Sequence, residues 1–210
     1  MLPVETSVLG AFVIAVTALV MSPGPDTMVI LRHALTSGRK SGLAAVAGVQ
    51  LGLIVHTALA VVGISLIIAS SPVLFKSMAL AGAAYLAWLG VQSLRDTGDL
   101  AMAEARSAAG WARACRDGAL SNLLNPKVIM LFLALFPNFV KTARGDVAAQ
   151  LITLAVVLIV INVLWQAPIA WAAETVRRWL GRASVRRAVS RLSGAVLLAF
   201  AALMIYQHLM

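Results

Sequence analysis

The stretch TSVLGAFVIAVTALVM, residues 6–21, carries no charge and ends on Ser22-Pro23-Gly24-Pro25-Asp26, after which helical character resumes from Thr27 to about Leu35. Apolar runs of this kind recur along the chain. Each is close to the roughly 20 residues that a helix needs to cross about 30 Å of hydrocarbon. In lipid only helices and closed barrels satisfy every backbone polar group. A barrel would show alternating polar and apolar positions in segments of about ten residues. These runs do not alternate, so the expected class is an all-α integral membrane protein.

Composition agrees. Of the 210 residues, 61% are hydrophobic and 12% are charged, against about 25% charged in a soluble domain. The formal charge is +9, but the arginines lie in the gaps between apolar runs. That placement fits membrane topology and anionic lipid headgroups rather than nucleic acid. No basic stripe interleaved with aromatic residues is present, and aromatics make up only 6%. The single cysteine, Cys115, excludes an internal disulfide and a cysteine-cluster metal site. The first residues lack a positive n-region and place Glu5 before the apolar run, which does not read as a signal peptide.

Six apolar segments are expected: about Thr6–Met21 with its continuation to Leu35, Leu43–Ala69, Leu74–Leu94, Gly118–Val140 interrupted at Asn125-Pro126-Lys127, Val147–Ala173, and Leu192–Leu209. A polar stretch, Arg95 to Arg116, and an arginine-rich connector, Arg177 to Arg191, separate them. The first, third and fifth connectors hold Arg32, Arg39, Lys40, Arg95, Arg106, Arg113, Arg116, Arg177, Arg178, Arg182, Arg186, Arg187 and Arg191. The opposite side holds Lys76, Lys141 and Arg144. The positive-inside rule then puts both termini on the non-cytoplasmic side. A re-entrant first segment would reverse the N-terminus.

Each half of the chain has three such segments, and a proline breaks the first of each. Setting Pro25 against Pro126 aligns PDTMVIL with PKVIMLF. An odd number of spans per half turns the second half upside down, giving an inverted repeat, the plan of many secondary transporters. The expected organisation is therefore one transporter domain over residues 1–210: repeat one about 1–95, a connector about 96–116, and repeat two about 117–210.

The breaks concentrate the candidate chemistry. Pro23 and Pro25 remove two backbone donors and Gly24 loosens the chain between them. Pro25 suits the first position of a new helix, whose N-terminus can receive a carboxylate. Asp26, an acid in an apolar region, is a candidate to bind an ammonium group or carry a proton; alternatively it offsets the helix dipole. Asn125-Pro126-Lys127 is the equivalent break. Lys127 is the one lysine or arginine well inside an apolar segment. It could neutralise Asp26, bind a substrate carboxylate or snorkel to an interface. Asn162 and Gln166, four apart and so on one helix face, are candidates to line a cavity. Gln50, His56 and Asn122 are further polar residues within spans, which could equally bond between helices. Gly38, Gly42, Gly48 and Gly52 form small-xxx-small pairs suited to close helix packing.

Other chemistries lack their residues. His33, His56 and His208 are scattered without ligand spacing, so no metal is expected. There is no phosphate-binding glycine loop, so no nucleotide cofactor is expected and the energy source is most simply an ion gradient. No nucleophile and base stand at helical spacing within a span, so no catalytic residue is assigned.

At these residues the chain resembles the LysE/RhtB family of bacterial amino-acid exporters. The resemblance is carried by Ser22-Pro23-Gly24-Pro25-Asp26, by Gly38-Arg39-Lys40-Ser41-Gly42 with Gly48 beyond, and by Asn125-Pro126-Lys127 followed by Leu131 to Phe139. It covers essentially the whole chain. It implies an inner-membrane exporter of amino acids or close derivatives, driven by protons, with Asp26 and the Asn125-Pro126-Lys127 break in the central site. Asp26 is the only clear intramembrane acid, which leans toward neutral amino acids. Rival readings are a carrier of another solute or ion, and a non-transporting scaffold or assembly factor. A homodimer is an assembly open to a small six-helix chain.

Overall fold

The computed structural model describes residues 3–70, 72–95, 110–180 and 182–209, and among these there are helices and turns but no strand. In chain order they are α1 (Thr6–Met21), α2 (Pro25–Ser37), α3 (Arg39–Ser70), α4 (Pro72–Arg95), α5 (Trp111–Leu123), α6 (Pro126–Met130), a π-helical turn (Leu131–Leu135), α7 (Phe136–Asn138), α8 (Val147–Trp171), α9 (Ala173–Leu180) and α10 (Ala183–Leu209).

Among the described residues two helices are long and apolar enough to cross a membrane: Arg39–Gly63, with mean hydropathy 2.0, and Val147–Trp171, with mean hydropathy 2.6. The count rises to four if each of two bent pairs is one span, namely Thr6–Met21 with Pro25–Ser37, bent by 54°, and Trp111–Leu123 with Lys127–Asn138, bent by 53°. The exposed side of α8 fits lipid. Ile152, Val156, Val160 and Leu164 recur every four residues and are exposed, while Leu151, Leu154, Ala155 and Leu158 behind them are buried.

Proline and glycine set the punctuation. α1 stops at Ser22 because Pro23 cannot continue the ladder, and α2 starts with Pro25 at its first position and Asp26 in its first turn. Gly38 ends α2 with φ +85°, a left-handed conformation that glycine adopts without strain. Asn125 caps α6 by accepting from the Lys127 N–H at 3.1 Å. Pro137 removes an N–H that an α-helical turn would send to the Leu133 carbonyl, beside the wider turn at Leu131–Leu135.

The helix starts differ from the expected segments in two places. The fourth segment begins at Trp111 rather than near Gly118, and the sixth at Ala183 rather than near Leu192. In α5 the buried residues Ala114, Gly118 and Asn122 recur every four, while Arg113 and Arg116 point outward. A charged outer face hid a helical turn whose inner face is small. The rest of the expected connector, 96–109, lies outside the described residues.

Two packed cores hold the helices together. One joins Phe12, Val16 and Leu19 of α1 to Phe132 and Phe136 and to Leu151, Leu154 and Leu158 of α8. Phe12 meets Phe136 and Phe139 edge-on, with centroids 5.5 and 5.2 Å apart. The other joins Ile30 and Leu31 of α2, Val46 and Val49 of α3, Ala114 of α5 and Ile169 of α8. Between α3 and α5 the backbones touch: a Cβ on Gly48 would fall on the Cys115 carbonyl, and one on Gly118 on the Ala45 carbonyl. The small-xxx-small expectation thus holds for Gly42, Gly48 and Gly52, each in tight contact. Gly38 differs, since it has nothing within 4 Å and serves the turn.

Candidate functional site

The chain is interrupted twice, and each interruption brings its charged residue against the other. Asp26, at the start of α2, is buried. Its carboxylate accepts from Ser121 Oγ at 2.7 Å and from Asn122 Nδ2 at 2.9 Å, both near the end of α5. Lys127, at the start of α6, donates from Nζ to the backbone carbonyl of Ser22 at 2.8 Å, just past the end of α1. Each charge therefore grips the half-helix that precedes the opposite break. The direct Asp26–Lys127 pair considered on sequence grounds resolves into two crossed contacts. An ammonium at the end of α1 also sits at the negative end of that helix dipole.

A narrow cleft of about 30 Å³ joins these parts. Gly24, Asp26, Asn125, Lys127, Asn162 and Gln166 all line it. Pro25 and Pro126 do not; they open α2 and α6. The N-terminus of α2 has no side-chain cap, so its first backbone N–H groups stand near the cleft without one. Leu53, Leu131 and Leu158 supply the apolar wall. Small-molecule pockets usually measure about 300 Å³ or more, and this cleft is well below that size.

Behind the cleft, Gln50 of α3 reaches α8. Its Nε2 lies 3.3 Å from Asn162 Oδ1, 3.4 Å from Gln166 Oε1 and 3.2 Å from the Val46 carbonyl. Asn162 and Gln166 are both buried. His56 lies on the far side of Asn122, with Nε2 3.4 Å from the Asn122 carbonyl, and stacks on Phe132 with centroids 5.5 Å apart. Two acceptors in this region are buried without a hydrogen-bond partner, Gln50 Oε1 and Asn122 Oδ1.

Sequence reasoning missed two sets of residues. Ser121 and the Ser22 carbonyl carried no signal, since a lone serine in an apolar run has none and a carbonyl belongs to every residue. The second set is a charged cluster two turns along α2 from Asp26. Arg32 Nη2 and His33 Nε2 each lie 3.1 Å from Asp117 Oδ2, and Arg116 Nη2 lies 3.3 Å from Asp117 Oδ1. Asp117 stands one turn before Ser121 on α5. The seven-residue step from Asp26 to His33 and the four-residue step from Asp117 to Ser121 keep each pair on one helix face, and that periodicity was the available signal.

A family model described as LysE type translocator matches residues 17–208. The chain is 29% identical over 194 residues to the homoserine/homoserine lactone efflux protein of Salmonella typhi, covering 92% of this chain and 94% of the relative. It is 30% identical over 179 residues to the leucine efflux protein of Enterobacter sp. (strain 638), covering 83% and 81%. It is 29% identical over 199 residues to the uncharacterized membrane protein YrhP of Bacillus subtilis (strain 168), covering 90% and 94%. No solved structure matches the chain. Matched from within α1 to within one residue of the end of α10, with both breaks inside the match, the chain belongs to the LysE type translocator family.

Proposed function

We propose that the protein is a secondary active exporter of amino acids or close derivatives across the bacterial inner membrane, working by proton antiport and favouring neutral substrates. Six spans form two inverted three-helix repeats, with both termini on the non-cytoplasmic side. The similar bends of 54° and 53° at aligned positions support the repeat. Relatives named for homoserine and leucine efflux support the substrate class.

The observation that carries this reading is the crossed pair of contacts at the breaks. A zwitterion needs one anionic and one cationic or dipolar partner, and the cleft offers Asp26 for the ammonium and Lys127 or the uncapped start of α2 for the carboxylate. Each charge is held by groups of the other half, so a change at either one alters the contact between halves. Protonation of Asp26 would weaken its hold on an ammonium and aid release. The new hydroxyl needs an acceptor, and Asn122 Oδ1, unpartnered on the adjacent side chain, offers one after a small rotation. Rocking of the repeats then alternates access.

The test is uptake into inside-out vesicles across a panel of amino acids, with and without a pH gradient. Gradient-dependent uptake of a neutral amino acid is expected. A panel with no uptake by well-inserted protein would rule the reading out.

A further inference from the structure

We infer that Asn162 and Gln166 form the subsite for the substrate's carboxylate, and that Gln50 sets it by turning their amide N–H groups into the cleft. The inference rests on the exporter reading above and assigns one end of its substrate.

An amide side chain has two ends, one that accepts and one that donates. Which end faces a ligand depends on what holds the other. The amide oxygens of Asn162 and Gln166 both face Gln50 Nε2, at 3.3 and 3.4 Å. Gln50 Nε2 also lies 3.2 Å from the Val46 carbonyl of its own helix, so its two hydrogens are shared among three acceptors. With their oxygens engaged at the back, the –NH2 groups of Asn162 and Gln166 are left to the front. Both residues line the cleft, and neither nitrogen is among the buried polar atoms lacking a partner. The two residues are one turn apart on α8, so four N–H donors converge on one stretch of the wall.

Donors without net charge suit a carboxylate in a place where charge is costly. They also account for the division of labour around the cleft. Asp26 presents an anion to an ammonium, and Lys127 is already bonded to the Ser22 carbonyl. That bond uses one of the three Lys127 donors, and the amide pair adds uncharged donors from α8 for the same carboxylate. Gln50 lies behind them, so its part is positioning.

The experiment is equilibrium binding to the purified full-length protein in detergent at about pH 6, where the α-ammonium of both probes is charged. The probes are L-leucine and L-leucinamide, which differ only at the carboxyl end. Wild type is expected to prefer leucine. Gln50→Met keeps length and bulk but has no donor, so the two amides lose their orientation. It is expected to weaken leucine about tenfold, the equivalent of about 1.4 kcal/mol, and to leave leucinamide within about twofold. Gln166→Met, which removes two of the donors directly, is expected to compress the same ratio and gives a second reading if Gln50→Met folds poorly. A merely structural role would weaken both probes together. A leucine-to-leucinamide ratio unchanged from wild type in both variants overturns the subsite and leaves the exporter reading standing. Wild-type protein that binds no amino acid of a broad panel overturns both.

Discussion

The Lys127 ammonium donates to the Ser22 carbonyl across the two breaks at 2.8 Å, so a side chain of the second half completes the open end of a helix in the first. With Pro23 and Pro25 nearby, the carbonyls at the end of α1 lack helical donors. Lys127→Met leaves this carbonyl without its donor. The expected cost is about 1–3 kcal/mol, as for a hydrogen bond to a charged group, read as a lower thermal unfolding midpoint in detergent. Export in inside-out vesicles should fall with it.

Asp26→Asn preserves shape and keeps an acceptor for Ser121 while removing the charge. The variant should insert normally and lose stimulation of export by a pH gradient. Counterflow without a gradient should be less affected. Full gradient-driven export by this variant would remove Asp26 from the coupling role.

Glycine substitutions test the contact between α3 and α5. Gly48→Ala and Gly118→Ala each drive a methyl group into a backbone carbonyl, with an expected cost of about 1–3 kcal/mol. The double variant should fall short of the sum, because both methyl groups push the same helices apart. Gly10→Ala is the control. Nothing lies within 4 Å of its Cβ, and it should be neutral or stabilising by up to about 1 kcal/mol. Thermal unfolding of the four proteins checks the ranking.

Asp117 is shared by Arg32, His33 and Arg116. Asp117→Ala strips all three of their acceptor and should destabilise by about 1–3 kcal/mol. Arg116→Ala removes an exposed partner and should stay within about 0.5 kcal/mol. Equal effects would show that the cluster contributes only surface charge.

The entry to α1 should respond to acid. The hydrogen bond from Lys141, assisted by Ser7, holds the Glu5 carboxyl below its usual range. Because the folded value is depressed, the contribution is present above the unfolded value. It is lost as pH falls through the folded one. The difference in unfolding midpoint between wild type and Glu5→Gln should therefore be visible at neutral pH and shrink below about pH 4.

The sequence located these elements unevenly, for physical reasons. Thr6–Met21 was legible to the residue because a proline ends it, and Asp26 and Lys127 stood out because a charge among apolar neighbours is costly. The start of α5 was not legible. Arg113, Arg116 and Asp117 sit on its first turns, and a polar helix face resembles a loop when only apolar length is counted. Ala183 and the arginines after it concealed the start of α10 in the same way. At the site, Asn162 and Gln166 could be paired by their spacing. Gln50 was visible as a polar residue, but its role depends on α3 facing α8, which no local pattern encodes.

The glycine contact has a mechanical consequence. Where Gly48 meets the Cys115 carbonyl and Gly118 meets the Ala45 carbonyl, no side chain stands between the helices, so they cannot move closer, and moving apart opens a gap. Such a line would serve as a fulcrum for any swing of the two halves. If the halves swing, displacement is smallest along α3 and α5 and grows with distance from them. Asn122, whose side chain meets Gly52 on this line, also holds Asp26. The acid at the cleft, although it belongs to α2, is thus tied through Asn122 to the closest helix contact in the fold.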